Sequence, residues 1–350
     1  MTNTALNIDP EKRHYQAFIG TGGIGAGSLF LLSGNHTLGR EESRGGKYLD
    51  ARDYCKLHII AHYVKTFCGE DFPVFPIGKI GDDDVGHRIY QEMGQAGLNL
   101  DYVRESPGDK TLFGFCFLYP DGTGGNLTTE ESACTKVDPE FIESAEAVFS
   151  KYKNKFISLA APEVSLVSRK KLLAITRQFK GFAVASFTSG EIEAAEESEM
   201  LPLVDLLAIN IHEAKAFIRM ESEKNPTRLI IEKAIDKMNQ FNPQAWLSIT
   251  AGKEGSWSWD GRQLNHAPVF EVQVKSSAGA GDAHIAGMIS GLTGGLSLQQ
   301  SQVLGSLAGA FSVTSQHTIH PEMNRSNLRK LARGSKFKMD PAVLKFLEET

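Results

Sequence analysis

Ser276-Ser277-Ala278-Gly279-Ala280-Gly281-Asp282, followed by Ala283-His284-Ile285-Ala286-Gly287-Met288-Ile289-Ser290-Gly291-Leu292, joins a tight glycine turn, an acid and the first turns of an apolar helix. Without a Cβ at Gly279 and Gly281 the chain can turn sharply and bring backbone N–H groups close to an anion. A helix start adds unpaired donors and the positive end of the helix dipole. The stretch therefore reads as a phosphate cradle with a carboxylate beside it. The plainer reading of the same residues is an ordinary turn in which Asp282 caps the helix.

Outward from this turn the chain alternates helix and strand. Apolar spacing predicts a helix over 138–149, a strand over 155–160, a helix over 165–179, a strand over 182–187, a helix within 190–201, a strand over 203–209 and a helix over 211–219. A strand over 245–250 and a hairpin turn at Asp260-Gly261 follow, and helices over 281–292 and 297–314 close the fold. Such alternation means βαβ units and a mainly parallel sheet with helices on both faces. Upstream, Tyr15 to Thr21 reads as a buried strand running into Gly22-Gly23-Ile24-Gly25-Ala26-Gly27, whose glycine order is wrong for a dinucleotide fingerprint and which continues as a strand from Ser28. Two hairpins, within about 28–48 around Ser33-Gly34-Asn35 and within about 110–130 around Pro120-Asp121-Gly122, suggest a small second sheet. Phe113, Phe115 and Phe117 share a face of it and read as packing residues. A helix is expected over 50–67, a strand over 74–80 and a further helix carrying Val85, Ile89, Met93 and Ala96. His58 and His62 lie four apart but have no third ligand nearby, so they are not read as a metal site. With no linker, repeat or low-complexity segment, the expectation is a polar tail over 1–14 and one domain over 15–350.

The glycine turn, and three further segments in the same order, resemble the ribokinase-like carbohydrate kinases of the phosphofructokinase B family. Asn210-Ile211-His212-Glu213 resembles that family's Asn-x-x-Glu motif, Thr250-Ala251-Gly252-Lys253-Glu254-Gly255 its nucleotide loop, and Gly45-Gly46-Lys47 its Gly-Gly substrate loop. Pro76-Ile77-Gly78-Lys79-Ile80-Gly81-Asp82-Asp83 is similar to the strand and turn that come next, so the likeness runs from about Ala17 to about Thr314. The resemblance implies a three-layer α/β/α fold with a mainly parallel sheet and a β lid, and transfer of the ATP γ-phosphoryl group to an alcohol.

Under that resemblance Asp282 is the general base and the N–H groups of Gly279, Ala280 and Gly281 form the anion hole. Asn210 and Glu213 serve the nucleotide, with Glu213 on Mg²⁺ through water, and the plainer alternative is a helix cap. Thr250, Gly252 and Gly255 line the nucleotide; Ser306 and Gly309 flank its base or, on the bland reading, let helices pack closely. The acceptor side departs from the family. Gly25 stands where relatives carry a hydroxyl-binding Asp, so Gly25, Gly45 and Gly46 mark the acceptor loop and Asp50 is expected to take over its hydroxyls, unless it only caps a helix. Ser276 and Ala278 replace residues common before the turn, although a monovalent cation such as K⁺, held by carbonyls, is still allowed for. Arg40, Glu41, Glu42, Arg44 and Lys47 read as solvated lid charges.

Composition narrows the classes further. At 350 residues, 41% apolar and 23% charged, the chain has the makeup of an ordinary globular protein. A net charge of −5 offers no general attraction to nucleic acid or anionic lipid. Four scattered cysteines, with no leader pattern at the start and no apolar span, give the expectation of a cytoplasmic protein without a membrane partner. A Walker A loop is absent. Three functions stay open: a kinase of a sugar or sugar-like alcohol, a nucleoside kinase of the same fold, and a catalytically silent nucleotide- or metabolite-binding homologue; a homodimer through the lid is a further expectation from relatives.

Overall fold

The computed structural model describes residues 9–220 and 225–348, with backbone only at 50 and 51. Thirteen strands run in chain order: β1 Ala17–Thr21, β2 Gly25–Leu32, β3 Gly46–Tyr54, β4 Val74–Gly81, β5 Val103–Ser106, β6 Leu112–Leu118, β7 Gly124–Thr128, β8 Phe156–Ala160, β9 Phe182–Ala185, β10 Leu206–Asn210, β11 Trp246–Thr250, β12 Ser256–Trp259 and β13 Leu264–Ala267. Nine form one sheet in the order β13-β12-β11-β10-β9-β8-β1-β4-β5. From β5 to β11 it is parallel, and β12 and β13 add antiparallel at one edge. Every residue of β1 and β8 is buried, as strands covered on both faces must be. Two apolar clusters, one holding Leu57, Val64 and Met288 and the other Leu172, Phe217 and Ile231, occupy the two helix-covered sides. This is the expected α/β/α sandwich.

The second sheet has the order β3-β2-β6-β7, with β2 and β6 parallel and the outer pairs antiparallel. It corrects the expectation at one important place. The segment read as a helix over 50–67 is strand up to Tyr54, and the helix is Lys56–Cys68. Lid strand and helix are thus joined by Cys55 alone, and Asp50 lies inside β3 rather than at a helix cap. The apolar residues from Leu57 onward do follow helical spacing, but Gly46 to Tyr54 pair with β2 as a strand, with a register shift opposite Gly27 to Leu29. The first lid hairpin is also no tight turn: β2 and β3 are joined by a loop over 33–45, held by Arg44, which donates to Glu42 and to the carbonyls of His36 and Thr37.

Other corrections are smaller. Helix 138–149 is two short helices, Pro139–Glu143 and Glu146–Lys151, and two more helices, Arg325–Gly334 and Pro341–Glu348, follow the pair expected to close the fold. In the stretch before β1, Arg13 donates twice to Asp71, at 2.9 and 2.7 Å, and residues 1–8 of the polar tail lie outside the described residues. Phe115 is exposed and pairs with Leu127, Phe30 pairs with Tyr48, and the Phe30 and Phe115 rings lie 6.1 Å apart, so the four form an outward apolar face of the lid rather than core packing. No helix among the described residues is long and apolar enough to cross a membrane.

Candidate active site

The sheet order reverses between β8 and β1, and in open α/β sheets the crevice beyond the carboxyl ends at such a point is where ligands bind. The glycine turn stands over this end of the sheet. Gly279 has φ 78, a left-handed conformation that suits glycine, and a Cβ there would come within 2.9 Å of the Thr318 carbonyl oxygen. Helix Ala280–Thr293 starts beside it with no side-chain cap. A Cβ on Gly281 would meet nothing within 4 Å, so the backbone there is open to the cleft. Of the three expected donors, Ala280 is partly used, since its N–H reaches the Ser277 carbonyl at 3.3 Å. Gly281 and Asp282 line the cleft together with Lys56, Asn210, Glu213 and Thr250.

Asp282 is 7% exposed, and burial raises its pKa while the nearby Lys56 ammonium, 3.7 Å from Oδ1, opposes the rise. Asn210 and Glu213 form a reciprocal capping box. The Asn210 side chain accepts from the N–H groups of His212 and Glu213 at 2.9 and 3.0 Å, and Glu213 Oε2 accepts from the Asn210 N–H at 2.7 Å. The residues of this capping box also line the cleft. Burial raises the Glu213 pKa as well.

The expected nucleotide loop divides. Gly252, at φ 53, has open space beside it, whereas a Cβ on Gly255 would lie 2.2 Å from the Ala267 carbonyl oxygen, so Gly255 lets β13 approach. The Ser306 hydroxyl meets that of Ser256 at 2.8 Å, in a buried network with Gln302 and Ser258. A Cβ on Gly309 would lie 3.1 Å from the Ala280 carbonyl oxygen, which is the close-packing reading of that residue.

The acceptor side is where the structure departs furthest from expectation. Gly45 and Gly46 are exposed at the start of β3, about 23 Å of strand from Asp53, so they stand away from the cleft. The side chain of Asp50 lies outside the described residues. Gly25 cannot carry a longer side chain, because a Cβ would lie 2.2 Å from the Leu112 carbonyl oxygen and 2.8 Å from Cys55 Sγ. The glycine-rich loop has a different use: it makes room for two acids. Glu163 Oε2 lies 1.8 Å from where a Cβ on Gly23 would be, and Asp53 Oδ2 lies 2.1 Å from the same point on Gly27.

Asp53 is 7% exposed on β3, accepts from Cys116 Sγ at 3.4 Å, and is raised in pKa by burial, with the Asp282 charge adding to the rise. Glu163 follows β8 at the point where the sheet order reverses. Its φ of 78 is unusual for a residue with a side chain, and burial pushes its pKa up to about 7 against the pull of Lys56. Reading the sequence missed Asp53, Lys56 and Glu163. The signal for the first two was hidden by the misplaced helix start; for Glu163 it lay in the Ala-Ala-Pro-Glu run just beyond a buried strand. The segment after helix Leu298–Ser312 fastens these pieces together. Thr318 donates its N–H to the Arg52 carbonyl at 3.1 Å and accepts the Tyr54 N–H at 3.1 Å, while its own carbonyl accepts from Tyr63 Oη at 3.1 Å.

Comparison with known proteins fits this geometry. The chain matches the family described as "pfkB family carbohydrate kinase" over residues 61–325. It is 21% identical over 238 residues to fructoselysine 6-kinase of Shigella flexneri, covering 67% of this chain and 80% of that one. It is 24% identical over 268 residues to adenosine kinase of Schizophyllum commune, covering 71% of this chain and 75% of that one. Among solved structures, ribokinase from Giardia lamblia superposes with a TM-score of 0.76 at 15% identity, covering 90% of this chain and 99% of that one, a likeness of fold alone. The family match begins after β2 and β3, the strands that carry Gly25 and Asp53. With the cradle, the acid beside it and a match over three quarters of its length, the chain belongs to the pfkB family of carbohydrate kinases, a family of sugar and nucleoside kinases.

Proposed function

We propose that the protein transfers the γ-phosphoryl group of ATP to a hydroxyl of a sugar or sugar-like alcohol. The observation that carries this reading is the placement of Asp282, buried, beside an uncapped helix N-terminus whose first glycine opens onto the cleft. Asp282 takes the proton from the acceptor hydroxyl. The acceptor oxygen then bonds to the γ-phosphorus as the bond from that phosphorus to the β,γ-bridging oxygen breaks, and ADP leaves. Backbone donors of Gly279 and Gly281, with the helix dipole, bind the phosphoryl oxygens, and Ala280 contributes if its long bond to Ser277 gives way.

The residues present fit a hydrated Mg²⁺. Glu213 keeps one carboxylate oxygen beyond its cap bond, and Mg²⁺ holds several waters, so Glu213 would bind it through them, with Asn210 and Thr250 beside the phosphates. When bound, the ion neutralises charge on the phosphates. A monovalent cation finds weaker support, because the Val313 carbonyl next to the turn already accepts the N–H groups of Lys275 and Ser276 at 2.8 and 3.3 Å.

For the acceptor, Asp53 and Glu163 are the groups that hold its hydroxyls. Burial raises both acids, and Glu163, pushed up to about 7, can both accept and donate a hydrogen bond, which suits a polyol. The exposed apolar face of the lid, with Tyr48 at 61% and Leu127 at 64% exposure, supports a homodimer formed there. A nucleoside acceptor is the second reading, favoured by the similarity to adenosine kinase. An ATP-consumption screen over sugars, polyols, sugar acids and nucleosides separates the two. Turnover with polyhydroxylated acceptors and none with nucleosides is expected; turnover with nucleosides alone would overturn the sugar assignment, and none with any acceptor would favour a silent homologue.

A further inference from the structure

Lys56 is the first residue of helix Lys56–Cys68, a position where the helix dipole disfavours a cation. That helix has no acid in its first turn, and Cys55 gives it no side-chain cap. Nothing local recommends a lysine there. Residues that break a local rule without local compensation concentrate at functional sites. The side chain runs into the cleft, where its Nζ lies 3.7 Å from Asp282 Oδ1, with 32% of the Lys56 side chain and 10% of the Asp282 side chain exposed. Among the described residues that line the cleft, it is the one lysine or arginine.

We propose that Lys56 is a positioning residue for Asp282, its ammonium anchoring the carboxylate in the cleft so that it faces the acceptor hydroxyl. The inference rests on the reading of Asp282 as the base. Three other acids surround the pair from three elements: Asp53 from β3, Glu163 from the turn after β8, and Glu213 from the helix after β10. On the same helix as Asp282, His284 is turned away to the Ser248 hydroxyl at 3.1 Å and is held neutral by burial. Without the ammonium, burial would drive Asp282 toward its protonated form, which cannot accept a proton. Lys56 also follows β3 by two residues, so a lid that shifts over an acceptor moves the partner of the base.

The test is a cycle of Lys56→Met, Asp282→Asn and the double variant, with Lys56→Arg as the charge-keeping control. Melting temperatures need no acceptor. Lys56→Met should lower Tm by about 2–5 °C by stranding the buried carboxylate, and the double variant should recover most of that loss. Additive Tm changes would mean that the pair is not coupled and would overturn the proposal. With the acceptor that the wild type phosphorylates, Lys56→Met should reduce kcat about 10- to 100-fold at pH 7, leave the ATP KM within about twofold, and move the acid limb of the kcat profile up by about one pH unit. Lys56→Arg should restore most of the rate and the acid limb. A Lys56→Met protein with wild-type kcat and an unmoved acid limb would also overturn it. If the wild type phosphorylates no acceptor, the kinase reading fails, and the Tm cycle still decides whether Lys56 anchors Asp282.

Discussion

The decisive contacts at the residue scale are the two places where an acid lies over a missing side chain: Glu163 over Gly23 and Asp53 over Gly27. A glycine-rich loop is visible in the sequence, but its purpose is not, because the residues that occupy its space come from β3 and from beyond β8. Asp282, Asn210 and Glu213 were legible because each belongs to a local motif in which spacing along one helix start decides geometry. Asp53, Lys56 and Glu163 were not, since their proximity is made by the sheet and by a helix that begins six residues later than expected. If Asp53 holds acceptor hydroxyls, Asp53→Asn should raise the acceptor KM roughly ten- to a hundredfold with the ATP KM little changed, since losing a buried hydrogen bond to a charged group costs about 1–3 kcal/mol. Steady-state kinetics with each substrate varied in turn checks this, and equal effects on both KM values would assign Asp53 a structural part.

Among the elements, the closest packing lies between helix Ala280–Thr293, which begins at the cradle, and helix Leu298–Ser312. A Cβ on Gly287 would lie 2.7 Å from the Gly305 Cα, so the two backbones touch. This crossing fixes the helix whose N-terminus we propose as the anion hole. The small residues of both helices were readable, and their role as spacers follows from the structure. Gly287→Ala tests it. In an open helix that change gains up to about 1 kcal/mol, whereas here overpacking against backbone should cost about 1–3 kcal/mol in a denaturant titration. A gain in stability would mean that the crossing has slack. The lid strands show the opposite lesson. The end of β3 was masked because it lacks clear alternation and runs straight into helix Lys56–Cys68 through one residue, with no glycine or proline to mark the change.

Across the whole molecule, the buried acids of the cleft oppose stability as pH rises. Burial raises Glu163 from 4.5 to about 7, so the folded protein binds more protons than the unfolded chain between these values. Stability linked to this group is therefore fully present below about pH 4.5 and is lost as pH rises to about 7. Glu163→Gln removes the dependence, and its Tm relative to wild type should be higher at pH 8 than at pH 5; a difference that does not change with pH would assign Glu163 an ordinary folded-state pKa. The three-layer fold itself was legible from alternation of helix and strand, because parallel βαβ units permit few other arrangements. The central claim is that Asp282 deprotonates an acceptor hydroxyl beside the glycine cradle, and its most direct measurement is single-turnover transfer from ATP labelled in the γ-phosphate, with wild type and Asp282→Asn. The account predicts labelled phosphoryl acceptor from wild type, with a rate about 10²–10⁴-fold lower in Asp282→Asn at nearly unchanged ATP affinity; equal transfer rates in the two proteins would contradict it.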